Sequence, residues 1–120
     1  MENPSKVQKR LAKLIQQNLA EIFIRELQPE STIASVHYVL VTKDLNLANI
    51  YISAFPDKNL PVLLEFLNDE KGNKTVRKML ASRIKNKVRR IPELRFFEDE
   101  IQKEQEKIEK LFEQINKNKK

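Results

Sequence analysis

One glycine serves this entire chain of 120 residues, and 33% of the chain is charged. That composition points to helices around a modest sheet. The glycine, Gly72, is followed by Asn73. Glycine fits the left-handed position just past a helix end, and asparagine is a good N-cap. The pair therefore predicts a place where one helix stops and the next begins. Around it runs KGNKTVRKMLASRIKNKVRR, residues 71–90. This stretch holds nine cations (Lys71, Lys74, Arg77, Lys78, Arg83, Lys85, Lys87, Arg89, Arg90) and no acid. The other 14 of the 23 Lys and Arg stand against all 17 Asp and Glu, so the net charge of +6 arises here alone. Local basicity of this kind is the electrostatic footprint of a polyanion-binding surface.

After Asn73 the pattern predicts a helix from Thr75 to Arg90. With successive side chains about 100° apart, Val76, Leu80, Ile84, Val88 and Ile91 form an inward stripe. Lys74, Lys78, Lys85 and Arg89 fall within about 60° of one another on a different face, with Arg77 flanking them. Residues 71–90 contain no Asp or Glu, so this ridge repels itself and has no partner within the predicted helix. A solvated face is the ordinary reading of a mixed-charge helix, but nine charges of one sign favour nucleic acid.

The rest of the composition bounds the function. At 120 residues the chain is one domain, able to bury about two-thirds of its unfolded surface without staples. The absence of Cys excludes disulfides, cysteine nucleophiles and thiolate metal sites, and fits a reducing cytoplasm. No signal peptide is expected, because the first 18 residues carry charges at Glu2, Lys6, Lys9, Arg10 and Lys13 and no apolar block. No run of about 18 apolar residues exists to span a membrane. His37, the only histidine, has no second His, Cys or close carboxylate set beside it and is read as structural or surface-lying. There is no glycine-rich phosphate loop and no metal-ligand spacing, and the acids crowd a tail from Glu98 to Glu113. An enzyme, a metal and a cofactor are therefore not expected. Few aromatic residues and no Trp argue against a broad base-stacking platform.

Taken in order, residues 5–27 give the clearest helix. Ser5 and Gln8 have capping-box spacing, and Val7, Leu11, Leu14, Ile15, Leu19, Ile22, Phe23 and Leu27 form a continuous stripe. Lys6, Lys9, Arg10 and Lys13 crowd its first turns, where the helix dipole disfavours cations, and form a possible secondary basic patch. Pro29 ends this helix. Ser35 to Thr42 is β-rich and apolar on both faces, as a central strand would be. After a turn at Lys43–Asn46, Leu47 to Phe55 alternates, which predicts an antiparallel hairpin. A short helix from Leu60 to Glu70 follows, with Pro61 in its first turn. Pro92 stops the basic helix, Leu94 to Phe97 reads as a third strand, and Glu98 to Lys117 carries a thin apolar stripe.

The order α-β-β-α-α-β plus a C-terminal helix describes an α+β domain with helices over one face of a three-stranded sheet, the arrangement of a type II KH-like domain. Two parts are expected: residues 1–99 as a KH-like RNA-binding domain, and residues 100–120 as an amphipathic helix and basic tail packed on it or extending from it. In KH domains a GXXG loop between two helices clamps a nucleic-acid backbone. Gly72-Asn73 and the basic helix occupy that place in the order.

The residues also resemble a known family. Arg10-Leu11-Ala12, Leu19-Ala20-Glu21-Ile22-Phe23 and Arg25-Glu26-Leu27 follow its spacing on the first helix. The hairpin, Val41-Thr42-Lys43-Asp44-Leu45-Asn46-Leu47-Ala48-Asn49-Ile50-Tyr51-Ile52-Ser53, carries its Asp-Leu and β-branched-Tyr-β-branched pattern. Arg90-Ile91-Pro92-Glu93-Leu94-Arg95-Phe96 is close to its R-x-x-P-E-L-x-F. With Asp99, Ile108, Leu111 and Phe112 in step, the chain resembles the ribosome-binding factor A family over roughly residues 10–116. It departs in two places. Gly72-Asn73-Lys74 stands where the family has Ala-x-Gly at a helix kink, and Ile101 where it tends to have Ser.

The resemblance implies a non-catalytic, cytoplasmic assembly factor that binds the free 30S subunit and 16S rRNA. It further implies assistance in late maturation and 5′-end processing of 16S rRNA, growth in the cold, and a GTPase or other assembly factor as a further partner. A monomer is expected, since no dimer seam is visible. The residues expected to bind RNA are Lys71, Gly72, Asn73, Lys74, Arg77, Lys78, Arg83, Lys85, Arg89 and Arg90, with Lys6, Lys9, Arg10 and Lys13 as the secondary patch. Gly72-Asn73 would let the backbone approach. The alternative is a protein-interaction module acting through the C-terminal helix, with only non-specific RNA affinity.

Overall fold

The computed structural model describes residues 3–27 and 31–100, together with Leu111, Glu113 and Ile115. The first helix, α1 (Lys6–Arg25), opens as the sequence predicts. The Ser5 hydroxyl accepts from the Gln8 amide at 3.1 Å while the Gln8 side chain accepts from the Ser5 amide at 2.9 Å, a reciprocal capping box. Its inward stripe, Leu11, Ile15, Leu19, Ile22 and Phe23, is buried.

Two antiparallel strands follow, β1 (Ile33–Val41) and β2 (Leu47–Phe55). Ala48, Ile50, Ile52 and Ala54 of β2 all point into the core, as the alternation predicts. The turn between the strands contains no glycine, yet Leu45 adopts a left-handed φ of 63°. Polar side chains hold it there. Asp44 accepts from the Thr42 hydroxyl at 2.7 Å, from the Asn46 amide at 3.1 Å and from the Asn46 side chain at 3.0 Å.

A single 3-10 turn, Asp57–Asn59, leads into α2 (Leu60–Asn68) and then α3 (Glu70–Ile84). The last strand, β3 (Glu93–Glu98), lies parallel to β2, so the sheet order is β1-β2-β3. Its helix-facing side meets α1, α2 and α3 around Ile15, Leu19, Ile22, Ile50, Ile52, Leu67, Leu80 and Ile84, all fully buried. This is the expected α+β, KH-like arrangement. The C-terminal helix expected over residues 100–120 lies outside the described residues, apart from Glu100, Leu111, Glu113 and Ile115, which are helical and exposed.

Three expectations need correcting. First, β1 is an edge strand and β2 the central one. The second apolar face of β1 is not covered by helices. A register irregularity between Val36 and Tyr38 sets Tyr38 opposite Tyr51, and the two rings stack at 4.4 Å on the open side of the sheet.

Second, the helix junction is not at Gly72-Asn73. It falls at Asp69, whose extended backbone (φ −67°, ψ 147°) breaks the chain and whose carboxylate caps α3 by accepting from the Lys71 amide at 3.3 Å. Gly72 sits inside the first turn of α3 without a left-handed φ. It is buried because α2 and α3 approach closely there: a Cβ would collide with the Phe66 carbonyl. The glycine is required by packing, not by a turn.

Third, α3 ends at Ile84 rather than Arg90, and residues 85–90 form turns and bends. There the Lys87 amide bonds to the Ile84 carbonyl at 2.9 Å, a tighter turn that replaces the helical ladder.

Candidate nucleic-acid interface

The nine cations of residues 71–90 divide into four groups. Lys71, Lys74 and Lys78 are exposed on α3 and have no acidic partner among the described residues. Arg77 is exposed but held: its guanidinium donates to the Ile91 carbonyl at 2.7 Å and to the Pro92 carbonyl at 3.3 Å. A guanidinium has five N–H groups, so Arg77 keeps donors free in a fixed orientation.

Arg83 is different. It lies 2.6 Å from Glu21 and 3.0 Å from Glu26, and the Glu21 hydrogen bond leads the effects that raise its pKa above the ordinary guanidinium value. Its charge fastens α3 to α1 and is already satisfied. Spacing along one helix does not reveal partners on another, and Arg83, expected to contact RNA, is engaged by the Glu21 and Glu26 carboxylates. The last group, Lys85, Lys87, Arg89 and Arg90, is exposed in the connector after α3 and therefore does not extend the ridge of Lys74 and Lys78.

The two residues expected to admit a ligand backbone do something else. Gly72 is buried beneath Phe66. Asn73 donates through its side chain to the Leu67 and Leu94 carbonyls, both at 2.9 Å. Asn68 pairs with Phe96 in both directions, donating to its carbonyl and accepting from its amide at 2.9 Å. Together with Arg77 on the Pro92 carbonyl, these side chains occupy hydrogen-bonding groups along the outer edge of β3, which would otherwise invite another strand.

Two concave regions border the cations. One of about 600 Å³ runs between the α2–α3 junction and β3, lined by Lys74, Arg77 and Arg95 together with Glu70, Glu93, Asn68 and Asn73. The other, about 440 Å³, lies where α1, the hairpin turn and the connector meet. Arg10, Lys87, Arg89 and Arg90 border it, and Val7, Leu11, Leu14, Leu45 and Val88 supply its apolar lining. One member of the secondary patch, Arg10, thus joins the end of the main basic stretch. Lys6, Lys9 and Lys13 remain exposed on α1 outside that lining.

Sequence reasoning missed Arg95 in the first region and Leu45 and Val88 in the second. Arg95 was visible as an outward residue of β3 by alternation. The convergence of Arg10 with Arg89 was not visible, because it depends on where the connector turns.

His37 proves structural in setting. Its Nε2 is 2.6 Å from the Ser53 hydroxyl and its Nδ1 is 3.6 Å from the buried Asp99 carboxylate. On the same open side of the sheet, Tyr51 stacks on Phe97 at 5.4 Å as well as on Tyr38, so both faces of the middle ring are covered. Phe97, at one end of this stack, is exposed. Among the described residues no group of His, Cys, Asp and Glu is arranged to hold a metal ion, and no helix is long and apolar enough to cross a membrane.

A model of the ribosome-binding factor A family matches residues 7–112. The chain belongs to the ribosome-binding factor A family. Among curated members, ribosome-binding factor A of Chlorobaculum parvum is 38% identical over 109 residues, covering 90% of this chain and 89% of that protein. The Chlorobium limicola protein is likewise 38% identical over 109 residues, covering 90% of each. The fold matches the crystal structure of ribosome-binding factor A from Thermus thermophilus with a TM-score of 0.61 and 25% identity, over 76% of this chain and 94% of that one. A Thermus thermophilus homology model, fitted into a cryo-EM map of a complex between the 30S subunit and ribosome-binding factor A, matches with a TM-score of 0.56 and 23% identity, over 78% and 91%. The hairpin and R-x-x-P-E-L-x-F landmarks of the ribosome-binding factor A family lie in the described fold around its second concave region: Asp44 and Leu45 on one side, Arg90 on another.

Proposed function

We propose that this chain is a non-catalytic assembly factor that binds the free 30S subunit by placing its unpaired cations on 16S rRNA phosphates. The observation that carries this reading is family membership at 38% identity over 90% of the chain. A second support is the set of exposed cations without ionic partners among the described residues, Lys71, Lys74, Lys78, Lys85, Lys87, Arg89 and Arg90 in the stretch 71–90, with Arg77 oriented beside them. Phosphate contacts position a protein and carry little sequence information, so selectivity for the subunit comes from rRNA shape and neighbouring proteins. In this reading the factor assists late maturation and 5′-end processing of 16S rRNA in the cytoplasm, supports growth in the cold, and has a GTPase or another assembly factor as a further partner.

The test is co-sedimentation with free small subunits and with whole ribosomes across a salt series, using the wild-type protein and Lys78→Glu/Lys85→Glu. Binding should favour the free small subunit and fall with salt at a log–log slope of about −0.7 to −0.9 per phosphate contact. The double variant should bind more weakly with a shallower slope while melting like the wild type. Binding by the variant that is unchanged at physiological salt refutes the proposal.

A further inference from the structure

The second concave region has a composition that phosphate binding does not explain. Its border carries Arg10, Lys87, Arg89 and Arg90, and no ion pair neutralises them among the described residues. A surface that only gripped phosphates would need no more than that border. Yet more of the lining surface is apolar than polar, with Leu11, Leu14, Leu45 and Val88 drawn from three separate segments beside Asp44 and Asn46. At about 440 Å³ it falls within the size range of small-ligand sites.

Two further features orient an occupant. Asp44 belongs to the lining, and hydrogen bonds from Thr42 and Asn46 hold its pKa below the usual carboxylate range, so it is charged at neutral pH. A carboxylate beside the apolar lining repels a phosphate that tries to enter, while the bordering cations attract one that stays outside. The other feature is Leu45. A non-glycine residue in the left-handed region is disfavoured, and such strain collects at ligand sites. Here φ 63° places an apolar side chain in the lining, in a turn whose Asp44 bonds hold the conformation.

We infer that this pocket captures one unstacked nucleobase of single-stranded RNA, base inward and phosphates on the border. The inference rests on the RNA-binding reading above and adds a second kind of contact to it. Three of the four bordering cations are arginines, whose planar guanidinium groups stack on bases as well as bind phosphates.

The experiment compares two ligands of equal charge and length: a single-stranded adenosine oligoribonucleotide and the ribose-phosphate chain lacking its bases. Full-length protein with 13C-labelled Leu and Val methyl groups is titrated with each, and a competing acidic amphipathic peptide is titrated separately. The base-bearing oligomer should bind about tenfold more tightly than the abasic one and should shift the methyl signals of Leu14, Leu45 and Val88. Leu45→Asn removes the apolar group but suits the left-handed backbone, so the variant keeps its fold. It should bind both ligands alike, at the wild-type abasic affinity. Equal affinity of the wild type for both ligands overturns base capture while leaving phosphate binding intact. Tighter binding of the peptide, with the same methyl shifts and none from RNA, assigns the pocket to a protein partner and overturns it. Binding of neither RNA at low salt overturns the RNA reading together with this one.

Discussion

Gly72 lies under the Phe66 carbonyl, where any side chain would collide. In an open helix, replacing glycine by alanine gains about 1 kcal/mol. Here the sign reverses: Gly72→Ala should lower stability by about 1–3 kcal/mol in denaturant unfolding, because α2 and α3 must separate. Asp44 offers a second single-residue test. Its carboxyl pKa is lowered chiefly by the Thr42 hydroxyl, then by Asn46. A group whose folded pKa is depressed contributes stability above its unfolded pKa and loses it as pH falls through the folded value. The melting temperature should therefore drop as pH falls below about 4, and Asp44→Asn should flatten that drop. The chain's only glycine was visible in the sequence, but its role was not. A close approach between helices leaves no mark in composition, whereas left-handed φ at Leu45 and Ser31 occurs where no glycine signals it.

Among elements, α3 separates cations that hold the fold from cations that face solvent. Arg83→Ala should cost stability and leave the salt dependence of subunit binding unaltered. Lys74→Ala should do the reverse, reducing the salt slope by about one phosphate contact and leaving the melt unchanged. A double-mutant cycle between Arg83 and Glu21 should return below about 1 kcal/mol, since Glu21 is half exposed. Element type and order were legible from periodicity: α1, β2 and α2 begin within a residue of where the pattern puts them. The end of α3 was not, because Val88 and Ile91 continue its apolar spacing while packing through a turn. Periodicity reports that a residue points inward, not which element carries it there. The same limit hid the Arg83 clasp, whose partners lie on α1.

At the scale of the whole molecule, the sheet is completed by its last strand. β3 joins β2 in parallel only after the chain has passed through α2 and α3, and Asn68, Asn73 and Arg77 of those helices bind its outer edge. Phe96 and Leu94 bring two of the buried core side chains with it. As the chain is synthesised, the hairpin and α1 emerge early, but β2 waits with one edge unpaired and the core unfilled until residue 98 is free. Such distant pairing is slow relative to helix formation, so folding is gated by the arrival of the final strand. A chain ending at Pro92 should keep helical signal yet lose its cooperative melt, and adding residues 93–98 as a peptide should restore protection of the Ile50 and Ile52 amides. The strand that seals the fold thus also sets the earliest moment at which a newly made copy can act.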